Sequence, residues 1–216
     1  MNGRGDMRIS KRIILLCPCL LFIAFASFVT VRDYGRLSRV EQNVEKGMRI
    51  DQMLNARPQI VLIGGVILLF LCLSSRGKTV WALVGAYALF VIVMTLLYRE
   101  SGLQRLNMNP MEFFARFRGN PISRQEIINN IWLFMPLGIL LGKLIRKPWV
   151  FLILPAFSFV IEMIQYFARI GYCDIVDIMN NTVGGIIGVL AGWGVYGLFS
   201  ERRQIRSEPD REELQE

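Results

Sequence analysis

The chain has 216 residues, of which 53% are hydrophobic, with mean hydropathy +0.41 and a formal net charge of +8. It contains no histidine, which excludes Ser-His triads, His-based acid/base catalysis and His-ligated metals. The apolar residues come in long blocks, several approaching the ~20 residues needed to cross about 30 Å of hydrocarbon, so the composition indicates a polytopic membrane protein.

Arg8, Lys11 and Arg12 precede the first block, residues 13–31. The small residues Ala24 and Ala26 also resemble a signal-peptide cleavage site, but the apolar run continues past them, which favours an anchor. Residues 32–58 are polar, with Leu37, Val40, Val44 and Met48 at helical spacing, and are expected to form an amphipathic helix on the membrane surface. Residues 59–73 and 79–98 are the second and third spans, joined by a short basic turn. A longer polar loop follows, in which "NPMEFFARF" carries aromatics suited to the interface. Residues 127–142, 149–168 and 183–199 complete six spans, and residues 200–216 are a charged tail. The fold expected is therefore all-α: one membrane helix bundle over residues 13–199, with about six transmembrane helices and amphipathic interfacial helices.

Two short turns carry Arg76 and Lys78, and Lys143, Arg146 and Lys147, without acidic residues. The excess of Lys and Arg in such turns marks the cytoplasmic side, which places residues 1–12 and the tail there too. The positive charge is thus explained by orientation and anionic headgroups, and no basic stripe on a soluble domain points to nucleic acid. The four cysteines form no CxxC pair, so no zinc site or disulfide framework is expected and no metal ligands are assigned.

The polar residues inside the apolar blocks are more informative. On a helix Glu162, Gln165 and Arg169 stand at i, i+3 and i+7 and share one face. Asp174, Asp177 and Asn181 repeat that spacing, and the face continues through Gly184, Gly188 and Gly192, which would let a neighbouring helix approach closely. The fifth span is the expected partner of this stripe. Thr95 and Arg99 close the third span at the same level, Asn129 and Asn130 open the fourth, and Pro136 interrupts it with an expected kink. A charge in hydrocarbon costs at least ~2.5 kcal/mol on insertion scales. Arg99, Asn130, Glu162, Gln165, Arg169, Asp174, Asp177 and Asn181 are therefore expected to converge as a ligand pocket at the outer end of the bundle; the alternative is a buried network that only fixes helix register.

These residues resemble the VanZ-like membrane family. "NIWLFMPLG" matches its N-x-x-x-F-x-P-x-G segment at Asn130, Phe134, Pro136 and Gly138; "IEMIQ" matches E-x-x-Q at Glu162 and Gln165; "CDIVDIMNNTVGG" matches D-x-x-D-x-x-x-N-T-x-G at Asp174, Asp177, Asn181, Thr182 and Gly184. Thr95 and Arg99 fit its earlier T-x-x-x-R pattern, and the likeness covers about residues 80–198. The gap from Arg169 to Asp174 is longer than in many members, and the family's short "PF" is Pro110-Met111 here. The resemblance implies the bacterial cytoplasmic membrane, envelope physiology and an association with resistance to teicoplanin-type glycopeptides. It supplies no reaction and leaves the cofactor unknown. Two mechanisms follow as expectations. In one, Arg99 and Arg169 hold the phosphate of an envelope lipid or lipid-linked precursor, with Asp174, Asp177 and Asn181 orienting them or contacting sugar hydroxyls. In the other, Glu162, Asp174 and Asp177 act as catalytic carboxylates, with or without Mg²⁺.

Overall fold

The computed structural model describes residues 14–43, 58–96 and 103–207. Among these are seven helices: α1 (Cys17–Asn43), α2 (Pro58–Ser74), α3 (Lys78–Leu96), α4 (Glu112–Gly119), α5 (Pro121–Leu144), α6 (Val150–Phe167) and α7 (Ile175–Ser207). Strands β1 (Leu103–Asn107) and β2 (Ile170–Asp174) pair in parallel, with Leu103 opposite Ile170 and Asn107 opposite Asp174. The molecule is an all-α membrane helix bundle with this one small sheet at its edge. Lys78–Leu96, Pro121–Leu144, Val150–Phe167 and Ile175–Gly197 are long and apolar enough to cross a membrane, and Gln59–Ser74 is a shorter apolar helix.

Two elements differ from the sequence expectation. Helix α1 does not stop at residue 31 but runs on to Asn43, so the first block and the start of the expected surface helix are one element. The rest of that surface helix, residues 44–57, lies outside the described residues. Helix α7 starts at Ile175, eight residues before the expected sixth span, and carries the polar stretch and the apolar block on one rod.

The glycine stripe of α7 packs on α5 rather than on α6. A Cβ at Gly184 would strike the carbonyl of Ile131, one at Gly188 the carbonyl of Met135, and one at Gly192 the carbonyl of Ile139. The approach is reciprocal, because Cβ atoms at Gly138 and Gly142 of α5 would strike the carbonyls of Gly185 and Val189. Small residues on both helices allow this backbone contact. Gly185 instead meets α6, through Leu154. The core follows: Phe134, Met135, Ile139, Leu140 and Val189 are fully buried where α5 and α7 meet.

Helix α5 is continuous through Pro136. The Tyr87 hydroxyl of α3 donates to the Leu133 carbonyl at 3.1 Å, one residue beyond the Trp132 carbonyl that the proline leaves without its helical donor. At the end of the bundle that carries the basic turns, the Lys143 ammonium donates to the carbonyls of Cys72 at 2.9 Å and Leu73 at 3.1 Å, and to that of Ser75. A cation thus joins the Ser75 hydroxyl, which donates to Cys72 at 2.7 Å, in satisfying the carbonyls at the end of α2.

Candidate functional site

The opposite end is polar, and three elements build it. Asp174 closes β2 and caps α7: its Oδ1 accepts the Val176 amide at 2.9 Å, as a side-chain oxygen at a helix N-terminus does. The backbone pairing of β1 and β2 brings Asn107 beside it, and Asn107 Nδ2 donates to Asp174 Oδ1 at 3.1 Å. Helix α4 supplies the counter-charge, with Arg116 Nη2 donating to Asp174 Oδ2 at 2.5 Å. Asp174 is only 4% exposed, so this ion pair holds a buried carboxylate. Arg116 also grips Glu112 through Nε at 3.0 Å and Nη2 at 2.8 Å. Burial alone would lower the Arg116 pKa, but the two carboxylates outweigh it and raise it. Arg116 in turn lowers the Glu112 carboxyl below the ordinary range.

Below this pair the polar residues of the spans form linked contacts. Glu162, 2% exposed on α6, accepts the Asp174 amide at 3.1 Å. Asn130 of α5 donates to Asp177 of α7 at 2.9 Å. Gln165, fully buried on α6, donates to the Thr95 carbonyl of α3 at 2.9 Å. Asn181 of α7 donates to the Ser158 hydroxyl of α6 at 2.9 Å. The structure therefore places Asn130, Glu162, Gln165, Asp174, Asp177 and Asn181 at one end, across α5, α6, β2 and α7. Three buried atoms in this group have no partner among the described residues: Gln165 Oε1, Asn180 Nδ2 and Asn181 Oδ1.

Two expected members stand differently. Helix α6 ends at Phe167, and Arg169 lies beyond it, exposed, in the left-handed region with φ 55°. It does not continue the face of Glu162 and Gln165, because the turn into β2 replaces the next helical turn. Arg99 lies outside the described residues. Arg116 was not singled out from the sequence, where it sits in a loop segment read for its aromatics. The i, i+4 spacing of Glu112 and Arg116 within an aromatic amphipathic turn was the available signal. Cys173 is 3% exposed, and burial first, then the charges of Glu162 and Asp174, push its thiol pKa up, so it is a structural thiol.

A second buried ion pair lies at the same end. Arg124, in the first turn of α5, donates from Nε to Asp33 Oδ2 of α1 at 2.7 Å, and from Nη1 to the Phe117 carbonyl of α4 at 3.0 Å. Burial would raise the Asp33 carboxyl, but Arg124 and Arg32 outweigh it and hold it low.

A family model described as VanZ/LLP1 matches residues 60–198, beginning earlier than the motifs alone indicated. The chain is 34% identical over 102 residues to "Protein VanZ" of Enterococcus faecium, an alignment covering 44% of this chain and 55% of that protein. The chain thus spans about half the length of the curated relative it matches. No solved structure matches it.

Proposed function

The chain belongs to the VanZ/LLP1 family, and from that premise we propose that its polar end is an outward-facing pocket that binds an envelope lipid or a lipid-linked cell-wall precursor. One observation carries this reading. Gln165 Oε1, Asn180 Nδ2 and Asn181 Oδ1 are buried without partners among the described residues, on the helices that also carry Glu162 and Asp177. A buried unpaired polar atom costs roughly 1–3 kcal/mol, and a ligand's hydroxyl or phosphate groups would offset that cost. A cavity of 640 Å³ lined by Phe159, Val160, Met163, Ile164, Phe167 and Ala168 lies along the apolar side of α6, and suits a hydrocarbon chain whose head reaches the polar end. Asp177, Asn130 and Asn181 suit sugar hydroxyls, and in this reading an arginine such as Arg169 or Arg99 would pair with a phosphate. In this reading the protein sits in the bacterial cytoplasmic membrane with both termini cytoplasmic, and handling of an outward-facing precursor is its route to glycopeptide resistance of the teicoplanin type.

The enzymatic alternative needs Glu162, Asp174 and Asp177 as working carboxylates. The geometry favours it less, since both oxygens of Asp174 are already taken by Arg116, Asn107 and the Val176 amide. No group of three or more Cys, Asp or Glu side chains arranged to hold a metal occurs among the described residues.

The test is retention of a polyprenyl-diphosphate-linked disaccharide pentapeptide by the purified protein. Gln165→Met keeps the side-chain length and removes the unpaired oxygen; it is expected to weaken retention by about tenfold, the scale of one or two lost hydrogen bonds. Retention at the wild-type level in a folded Gln165→Met variant contradicts the pocket.

A further inference from the structure

The polar end carries a second cleft that the reading above does not use. Arg32, Asp33, Phe117, Arg118 and Arg124 line a cavity of 420 Å³ between α1, α4 and the start of α5. Three arginines and one carboxylate line it, and two of the arginines pair with that carboxylate. Asp33, 1% exposed, accepts Arg124 Nε at 2.7 Å and Arg32 Nε at 3.3 Å. The Phe117 carbonyl takes Arg124 Nη1, and Arg32 is exposed beside it. Arg118 is exposed and has no partner among the described residues. Arg124 also belongs to the first turn of α5, a 24-residue helix, whose amino end adds positive potential.

What opens onto the cleft decides the ligand class. Leu21, Phe25, Phe28 and Arg32 recur at helical spacing along one face of α1, and the three apolar members are 69%, 43% and 64% exposed. The Phe28 ring lies 6.0 Å from the Arg32 guanidinium, and the Phe25 ring stacks on Phe117 at 6.1 Å. An uncovered apolar stripe thus runs up α1 and ends at the arginines. A free anion would use the arginines alone, whereas an amphipathic anion uses both.

We propose that this cleft binds an anionic phospholipid, its phosphate diester held by Arg32, Arg118 and Arg124 and an acyl chain lying along Phe28, Phe25 and Leu21. Guanidinium forks match phosphate oxygens, and an aromatic stripe below them matches the chain. Asp33 has the separate task of holding Arg124 in the cleft while leaving the site cationic.

The full-length protein in mild detergent, offered phosphatidylglycerol or phosphatidylcholine and read by native mass spectrometry, tests this. Phosphatidylglycerol is expected to be retained about tenfold more than phosphatidylcholine. Arg32→Ala and Arg118→Ala, both surface changes that spare the Arg124–Asp33 pair, are each expected to remove most of that preference. Lys147→Ala, which removes an exposed cation at the opposite end, is expected to keep it. Equal retention of the two lipids, or unchanged preference in both arginine variants, overturns the site. Displacement of the lipid by millimolar inorganic phosphate overturns the lipid assignment and leaves a free-anion site. Retention of a copurifying protein in place of lipid, lost in Arg118→Ala, likewise overturns it.

Discussion

Arg116→Ala is expected to destabilise the protein by an amount near the lower end of the roughly 3–5 kcal/mol seen when one partner of a buried ion pair is removed. The lower end applies because the Arg116 side chain keeps 27% exposure while Asp174 keeps 5%. The loss falls on Asp174, which among the described residues would retain Asn107 and the Val176 amide as donors while itself nearly buried. Adding Asp174→Asn to Arg116→Ala is expected to recover a good part of the loss, because the charge left unpaired is then gone. Denaturant unfolding of the four members of this cycle in detergent measures the coupling directly. Additive losses would mean that the 2.5 Å contact carries no net coupling.

Gly188→Ala has the other large effect. The new methyl would overlap the Met135 carbonyl and press on the Ile139 amide and the Gly138 Cα, all backbone atoms that a rotamer change cannot clear. Helices α5 and α7 would have to separate along their whole contact, and that contact holds the centre of the core and positions Asn130 against Asp177. The cost is expected at or above the roughly 1–3 kcal/mol of an overpacked core. Gly64→Ala and Gly85→Ala are the controls, since nothing lies within 4 Å of a Cβ at either position. Thermal unfolding should show a large drop for Gly188→Ala and none for the controls. An unchanged midpoint in Gly188→Ala would contradict the close pairing of α5 and α7.

These two cases show which parts of the molecule were legible in the sequence. The apolar blocks gave the helices, because length and composition alone decide what can cross hydrocarbon. The glycine stripe is visible too, but the fifth span, adjacent in sequence, is not its partner: the stripe packs on α5. The complementary signal was Gly138 and Gly142, four apart on the fourth span, where each faces the α7 backbone. The small sheet was not foreseen: "LQRLN" and "IGYCD" are five residues each, too short for a clear alternation, and they lie far apart in the chain. That sheet is what ends the α6 face at Phe167, turns Arg169 outward and brings Asn107 to Asp174. Periodicity could therefore name Glu162, Gln165, Asp177 and Asn181 but not Arg116 of α4 and Asn107 of β1, which complete the site. Arg124 and Asp33 were likewise hidden, since a pairing between the first and fourth spans leaves no local pattern.

The central claim is that the polar end serves a ligand and not only helix register. The Ser158–Asn181 contact separates the two. Ser158→Ala together with Asn181→Leu removes both partners of one buried hydrogen bond and the unpaired Asn181 Oδ1 with them. Replacing both partners by apolar groups is close to neutral for stability, so a network that only fixes register would be little disturbed. Thermal midpoint and retention of the lipid-linked precursor, measured on the same purified double variant, give the decisive comparison. The pocket predicts a midpoint near the wild type and retention reduced by at least about tenfold; wild-type retention at that same midpoint would contradict it.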